Sequence, residues 1–439
     1  MQADHEGQDW GRLFVTRRCC GVGICRNVAP ELLGAVVPAQ ELPGTAPRRL
    51  TVLPDSFEEG AFTGVLRQPR SQADLVAART AVASCPLGAL RLQGPAGERL
   101  RELGPPWRDW PKRLEDNVWA VGHPSNKNFG AMAYFIERPD GGILIDPPRP
   151  SEELYRWLAE HGGVRWLFLT HRDHTHHHAE FARRFPGCQR ILGAADVNRR
   201  ESEHRPATDD VEFKLGDALA PLSLTGEPLP EAALAERELV VLPQPGHTPG
   251  SLCLLYRGRF LFSGDHLGYA RPLGHPVAPR LQCWEDWERQ SRSVRYLAAL
   301  AAAGHLRFSW LLPGHGEWHR FPGDPSAAAT ADVLSQALSW MERQPPGHVP
   351  LVRWVLFAQS RMQPRRALSQ VVRLLGGKGS GSDAWILPKS VRHLIPDYDP
   401  AQAAATARRR ALLGAAALGA VGLAWLGARA VRARLVRVS

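Results

Sequence analysis

The stretch Trp166-Leu167-Phe168-Leu169-Thr170-His171-Arg172-Asp173-His174-Thr175-His176-His177-His178 runs from a short apolar segment straight into five imidazoles and a carboxylate. A run of that kind reads as a strand whose end holds the side chains beyond it, where irregular backbone lets them converge on one point. The pattern recurs downstream. Leu239–Leu242 leads into Gly246-His247-Thr248-Pro249-Gly250-Ser251, Phe260–Phe262 into Ser263-Gly264-Asp265-His266, and Trp310–Leu312 into Pro313-Gly314-His315-Gly316. Asp146 likewise follows Ile143–Ile145. Any one His is more often an ordinary core or surface residue, and that plainer reading is preferred for His174, His177, His266, His305 and His319. The joint occurrence of His171, His247, Asp265 and His315 at strand ends instead points to a metal site. Imidazole with carboxylate suits Zn, and also Fe or Mn.

This order of motifs over residues 114–322 resembles the metallo-β-lactamase superfamily, which implies an αββα sandwich. Carried over by position, the resemblance makes His171 and His247 ligands of one metal, Asp265 a bridging carboxylate and His315 a ligand of a second metal, with Asp146 orienting ligands from behind. The first motif departs from the family pattern H-x-H-x-D-H. Counted from His171 the chain reads H-x-D-x-T-H, with Asp173 in place of the second His, Thr175 in place of the Asp, and His176 in its place. In a second register Asp173-His174 is the Asp-His pair and Leu169 falls at the first ligand position, with His178 as a spare. Thr175 supplies neither a carboxylate ligand nor a base. One ion, two ions with Asp173 and the extra His residues substituting, and a fold kept without metal are therefore all open. The expected cage is His171, Asp173, His176, His247, Asp265 and His315, with Asp173 also the candidate catalytic proton acceptor.

Seven Cys in 439 residues are too few for a disulfide scaffold, and three crowd into Cys19-Cys20-Gly21-Val22-Gly23-Ile24-Cys25. With Cys85-Pro86 they resemble a bacterial single-cluster ferredoxin, an α+β fold, over residues 1–95. Glycines let backbone wrap closely around a cluster and aim N–H groups at its sulfurs. A Cys-x-x-Cys-x-x-Cys count from Cys19 finds Val22 at the second position. Cys19, Cys25 and Cys85 remain, which implies a three-iron cluster rather than a four-iron one; Cys20 fits as a ligand if the loop shifts.

Between these parts, residues 96–113 read as a linker, with Gly94-Pro95-Ala96-Gly97 and Gly104-Pro105-Pro106 marking it. Residues 323–407 read as a helical extension: Val333, Leu334, Ala337, Leu338 and Met341 make one apolar face after Asp324-Pro325. Gly376–Ser382 lacks the Ser or Thr that a phosphate loop carries after its Lys and reads as a flexible linker. Within 408–439, Ala411 to Ala428 carries no charge between flanking Arg residues. At 1.5 Å per residue it spans roughly 27 Å, so a transmembrane tail anchor is expected. The polar start Met1–Trp10 has no export signal, so the folded body is expected in the cytoplasm, on the cytoplasmic face of a membrane.

All but five of the 54 basic residues are Arg, and the net charge is +10. That favours an anionic leaflet near the anchor; no nucleic-acid recognition motif accompanies it, so a nucleic-acid partner is weighed lightly. The leading expectation is a metal-dependent hydrolase of ester, thioester or lactone bonds, with one or two Zn or Fe ions, a small-molecule substrate and an attached iron–sulfur module served by a redox partner. The rivals are a non-haem-iron oxidoreductase fed by the cluster and a noncatalytic electron-transfer or binding protein.

Overall fold

The structure, a computed structural model, describes residues 12–16, 19, 23–36, 62–86, 88–93, 110–201, 205–271, 273–280, 283, 285–323 and 326–343. The N-terminal elements are β1 (Arg12–Val15), α1 (Ile24–Val28), β2 (Leu33–Val36), β3 (Phe62–Val65), α2 (Gln72–Ala83) and β4 (Leu90–Gln93). β1 pairs antiparallel with β4, and β2 with β3. Chain ends thus close on each other across the two helices, which brings Cys19, Cys25 and Cys85 to one neighbourhood.

The larger part begins with β5 (Lys112–Glu115), β6 (Val118–Ala120), β7 (Tyr134–Ile136) and β8 (Gly142–Ile145), an antiparallel meander. α3 (Glu152–Glu160), β9 (Val164–Phe168), α4 (His178–Arg184), β10 (Gln189–Gly193) and β11 (Phe213–Leu215) continue it. β8, β9, β10 and β11 are parallel neighbours, so the sheet has seven strands in the order β11-β10-β9-β8-β7-β6-β5. A second sheet is built from β12 (Leu239–Pro243), β13 (Leu252–Tyr256) and β14 (Phe260–Gly264). After the hairpin β15 (Gly268–Ala270) and β16 (His275–Val277) come α5 (Trp287–Ala302), β17 (Trp310–Pro313), β18 (His319–Arg320) and α6 (Ala327–Arg343). The second sheet's order is β12-β13-β14-β17-β18, with β14 and β17 parallel.

Why these strands are apolar throughout follows from period-two alternation between two buried faces. Tyr134, Ile136, Ile143, Ile145, Phe168 and Ile191 meet Val241, Leu254, Phe260, Phe262 and Leu312 between the sheets. Their sequence neighbours point outward: Phe135, Leu144, Leu167 and Leu192 pack with Leu154 and Phe181 of α3 and α4. Val240, Leu255, Leu261 and Leu311 pack with Val294, Leu297 and Leu334 of α5 and α6. The layers are therefore helix, sheet, sheet, helix. Phe262 is fully buried between the sheets, and its truncation to Ala would cost about 3–5 kcal/mol through the cavity left behind. The core between the sheets also takes in Leu13, Ile24, Cys25 and Leu33 of the N-terminal part.

α6 presents the apolar face expected of it, with Leu334, Ala337, Trp340 and Met341 buried. Ser326 caps it by accepting a hydrogen bond from Ala329 N at 3.1 Å; Asp324-Pro325 lie outside the described residues. The same holds for Cys20, Val22, the Gly/Pro segment 94–106, the helical extension beyond 343 with its Gly376–Ser382 segment, and the apolar stretch Ala411–Ala428. Among the described residues no helix is long and apolar enough to cross a membrane.

Candidate metal centre

β9 delivers the first imidazole. Its end at Phe168 is fixed by parallel pairing on both sides, and the chain then makes a single 3₁₀ turn over Arg172–His174. With three residues per turn, positions three apart eclipse, so His171 and His174 stand on one side with ring centroids 4.1 Å apart. His247, in the turn after β12, packs edge-on to His171 at 4.7 Å. Asp265, just past β14, is their common neighbour. Its Oδ2 lies 3.6 Å from Nε2 of His171, of His174 and of His247 alike.

Those three nitrogens are buried and have no hydrogen-bond partner. A buried ring nitrogen left unpaired costs about 1–3 kcal/mol, and a cation shared by three lone pairs removes that cost. The tautomers agree. Thr170 Oγ1 donates to Asp146 Oδ2 (2.8 Å), so His171 Nδ1–H donates to that hydroxyl (2.9 Å), and His174 Nδ1–H donates to Asp146 Oδ2 (2.7 Å). In the neutral form both rings therefore carry their lone pair on Nε2, the atom facing Asp265. Asp146 holds this arrangement from a left-handed backbone conformation (φ 53°) at the end of β8, a local strain of the sort that persists at functional sites. Thr170 N also donates to its Oδ1 at 2.8 Å.

Charge follows the same geometry. Burial works against a protonated His174, but Asp265 and Asp146 outweigh it and hold its pKa at about 9. Burial prevails at His247, pushed down to about 4, and takes His171 well below the usual imidazole range. Burial also opposes the charge of Asp265, yet His315 and His174 outweigh it and keep the carboxyl well below its usual range. Among the described residues, two groups of three side chains present donor atoms within 4.8 Å of one another: His171, Asp173 and His247, and His171, His174 and Asp265. They share His171, so the donor set suits one cation or two adjacent ones. Nitrogen and carboxylate oxygen in this proportion fit Zn or Fe.

Of the residues expected from the sequence, the fold brings together His171, Asp173, His247, Asp265 and His315, with Asp146 behind them. His176 is elsewhere: its backbone exchanges hydrogen bonds with the Asn128 side chain, and its ring neighbours His177 at 6.4 Å. His174 stands where the register counted from His171 points to His176; the second register, with Asp173-His174 as the pair, matches this geometry. Thr175 turns away and donates to Arg172 O. His178 is structural, its Nδ1 accepting from Arg190 and its Nε2–H donating to Ala207 O. His315 differs from the other imidazoles, because both its nitrogens face oxygens: Nδ1 lies 2.8 Å from Asp265 Oδ2 and Nε2 lies 3.1 Å from Phe129 O. Asp173 is buried, and its Oδ1 accepts from Arg205 at 3.0 Å.

The motif pattern misses Asp196. Buried past the end of β10, it accepts from Arg172 N (2.9 Å), Thr248 Oγ1 (2.6 Å) and Gly250 N (3.0 Å). One carboxylate thus ties the loop of His171 to the loop of His247. Its only sequence signal is an Asp closely following an apolar strand. Gly314 has a comparable role on the other side, since a Cβ there would lie 2.6 Å from His174 Cε1 and 2.9 Å from Asp265 Oδ1.

Residues 127–324 match the sequence profile of the Metallo-beta-lactamase superfamily, which supports a domain of that superfamily in this part of the chain. A hydroxyacylglutathione hydrolase from Anaeromyxobacter dehalogenans (strain 2CP-C) is 32% identical over 139 residues, 31% of this chain and 46% of that protein. The chain spans about half the length of that curated relative. Among solved structures, a metallo-beta-lactamase from Hirschia baltica is similar at 16% identity and TM-score 0.37, covering 54% of this chain and 97% of that one. One from Pontibacter korlensis is similar at 18% identity and TM-score 0.35, covering 53% and 99%.

Proposed function

We propose that this centre hydrolyses thioesters with the help of one or two divalent cations, held by His171, Asp173, His174, His247 and Asp265. The observation that carries the proposal is the convergence of three unpartnered Nε2 atoms on Asp265 Oδ2 at 3.6 Å each. A cation bound there would polarise a carbonyl and make water acidic enough to supply a nucleophile near neutral pH. The protein's own part is positional. Asp146 and Thr170 fix the imidazole tautomers, Asp196 fixes the two loops, and Asp173 is the carboxylate set to take the proton that attacking water loses. Water's oxygen joins the acyl carbon, the carbon–sulfur bond breaks, and the departing thiolate takes up a proton, giving acid and thiol. The thioester class is supported by the hydroxyacylglutathione hydrolase relative. Full-length protein with zinc should release thiol from a glutathione thioester, and His247→Ala should lower the rate by at least a hundredfold; an equal rate in that variant overturns the proposal.

We propose in addition that Cys19, Cys25 and Cys85 hold an iron–sulfur cluster, of three irons given three thiols. Thr63 supports this from beside two of the thiols: its N–H donates to Cys19 Sγ (3.4 Å) and its hydroxyl meets Cys25 Sγ (3.2 Å). Ala89 N–H donates to Cys85 Sγ at 3.1 Å. Burial pushes the Cys25 thiol up to about 11, despite the Arg26 charge beside it, so a bound cation would be needed to keep it a thiolate. Three irons and acid-labile sulfide per chain after anaerobic preparation is the expected composition, and absence of sulfide contradicts it. Iron in the His/Asp site as well would favour an oxidoreductase over a hydrolase.

A further inference from the structure

The residues beside the cysteines reach the loop that carries His315. Arg26, next to Cys25 on α1, is 2% exposed and donates through Nε to Glu317 Oε1 at 2.9 Å. Asn27 makes two bonds to the same loop: its Nδ2 donates to Gly316 O (3.1 Å), and its Oδ1 accepts from Trp318 N (3.1 Å). Gly23 (φ 86°), at the start of α1, comes so close that a Cβ would lie 3.2 Å from Gly316 O. Arg271 closes the group, donating through Nη1 to Arg26 O (3.0 Å) and through its backbone N to Glu317 Oε2 (3.1 Å). Gly316, Glu317 and Trp318 are the three residues after His315.

A second route starts at Cys85. Pro86 packs against Gly130, where a Cβ would lie 2.5 Å from Pro86 Cγ. The preceding carbonyl, Phe129 O, is the one that faces His315 Nε2 at 3.1 Å. Met132 N donates to Gly314 O at 2.8 Å, so the Phe129 segment and the His315 loop are also joined by backbone beside the imidazole. His315 is therefore held between two strips of backbone, each packed on a neighbour of a cysteine. In that position its Nδ1 occupies Asp265, the carboxylate on which the other three imidazoles converge.

We propose that the three-thiol centre and the His/Asp centre are linked through His315, so that occupancy of the first sets the affinity of the second for a cation. The proposal rests on the two-centre reading above. Loading the thiols fixes α1 and the Cys85-Pro86 turn; these fix the Gly316–Trp318 loop and Phe129 O; and those decide whether His315 lies on Asp265 or joins the ligands. Linkage is reciprocal, so a cation in the His/Asp centre must alter the cluster's properties by the same free energy. Arg26 and Asn27 act here as positioning residues, touching neither cation.

The test uses full-length protein and cobalt(II), whose visible absorption reports the His/Asp ligands separately from the cluster. Cobalt affinity is measured with the cluster assembled and after its removal, and in Asn27→Ala with the cluster assembled. Coupling of the usual size predicts a change of about 5- to 150-fold between the two wild-type states, and a shift of similar size in Asn27→Ala with an unaltered cluster spectrum. In the reverse direction, adding zinc to cluster-loaded protein should shift the cluster's midpoint potential or its electron paramagnetic resonance line shape. Equal cobalt affinities in the two wild-type states, with a cluster signal indifferent to zinc, overturn the linkage and leave the metal centre standing. No cobalt binding to imidazole in any state overturns the functional reading and the linkage with it; failure of the thiols to take up a cluster overturns the linkage and leaves the His/Asp centre standing.

Discussion

Asp146 Oδ2 lies 2.7 Å from His174 Nδ1, and both groups are almost wholly buried. The same oxygen accepts from Thr170 Oγ1, which in turn receives the Nδ1–H of His171. One carboxylate therefore sets the lone-pair direction of two adjacent imidazoles. Asp146→Asn keeps the shape but removes the charge that favours this tautomer. Its affinity for zinc should fall about 10- to 100-fold, the usual cost of losing a partner behind a metal-binding His. Competition against a chromophoric chelator measures it, and an unchanged affinity would contradict the orienting role.

His174 and His176 make a direct pair of variants. His174→Ala removes one of the converging nitrogens and should abolish zinc retention on dialysis. His176→Ala removes a ring outside the group and should leave zinc content and fold as they are. The reverse result would restore the register counted from His171.

The pH dependence of cation binding follows from His174. A cation needs the neutral ring, and in the cation-free protein His174 keeps its proton up to a pKa of about 9. Binding therefore expels a proton below that pH and none above it, so affinity should rise with pH by up to about a decade per unit and level off near 9. His247, at about 4, is already neutral over this range and adds no slope. Calorimetry in buffers of different ionisation enthalpy at pH 7 should show close to one proton released. A flat affinity between pH 6.5 and 8.5 would contradict the assigned ionisation.

Asp196 bonds three donors on two loops. Replacement by Ala should leave those buried donors unpaired and lower stability by about 2–4 kcal/mol, with weaker zinc binding as a second effect, because His171 and His247 lose their common anchor. Urea unfolding with and without zinc separates the two losses.

His171, His247, Asp265 and His315 were legible because each follows an apolar run that a buried strand must supply; the strands were legible from the same runs, and the two-sheet architecture from the family resemblance of the motifs. His174 was not, because the choice between it and His176 depends on a single 3₁₀ turn at Arg172–His174, which makes positions three apart coincide. Nothing in local composition announces that turn. Asp196 was hidden for a different reason, since its partners Thr248 and Gly250 lie more than 50 residues away. Asn27 and Gly316 are further apart still, at 289 residues; their contact exists only once both parts have folded. Thr63, which bonds Cys19 and Cys25, carried no signal in the sequence.

The central claim is that the converging imidazoles work through a bound cation. Its most direct test is the rate of thiol release from a glutathione thioester by full-length protein, measured before chelation, after removal of the loosely held cation, and after stoichiometric zinc is returned. Loss of the rate on chelation and its recovery with one to two zinc ions per chain are expected, the cluster's iron and sulfide content staying unchanged throughout. A rate that survives complete removal of the cation from the His/Asp site would contradict it.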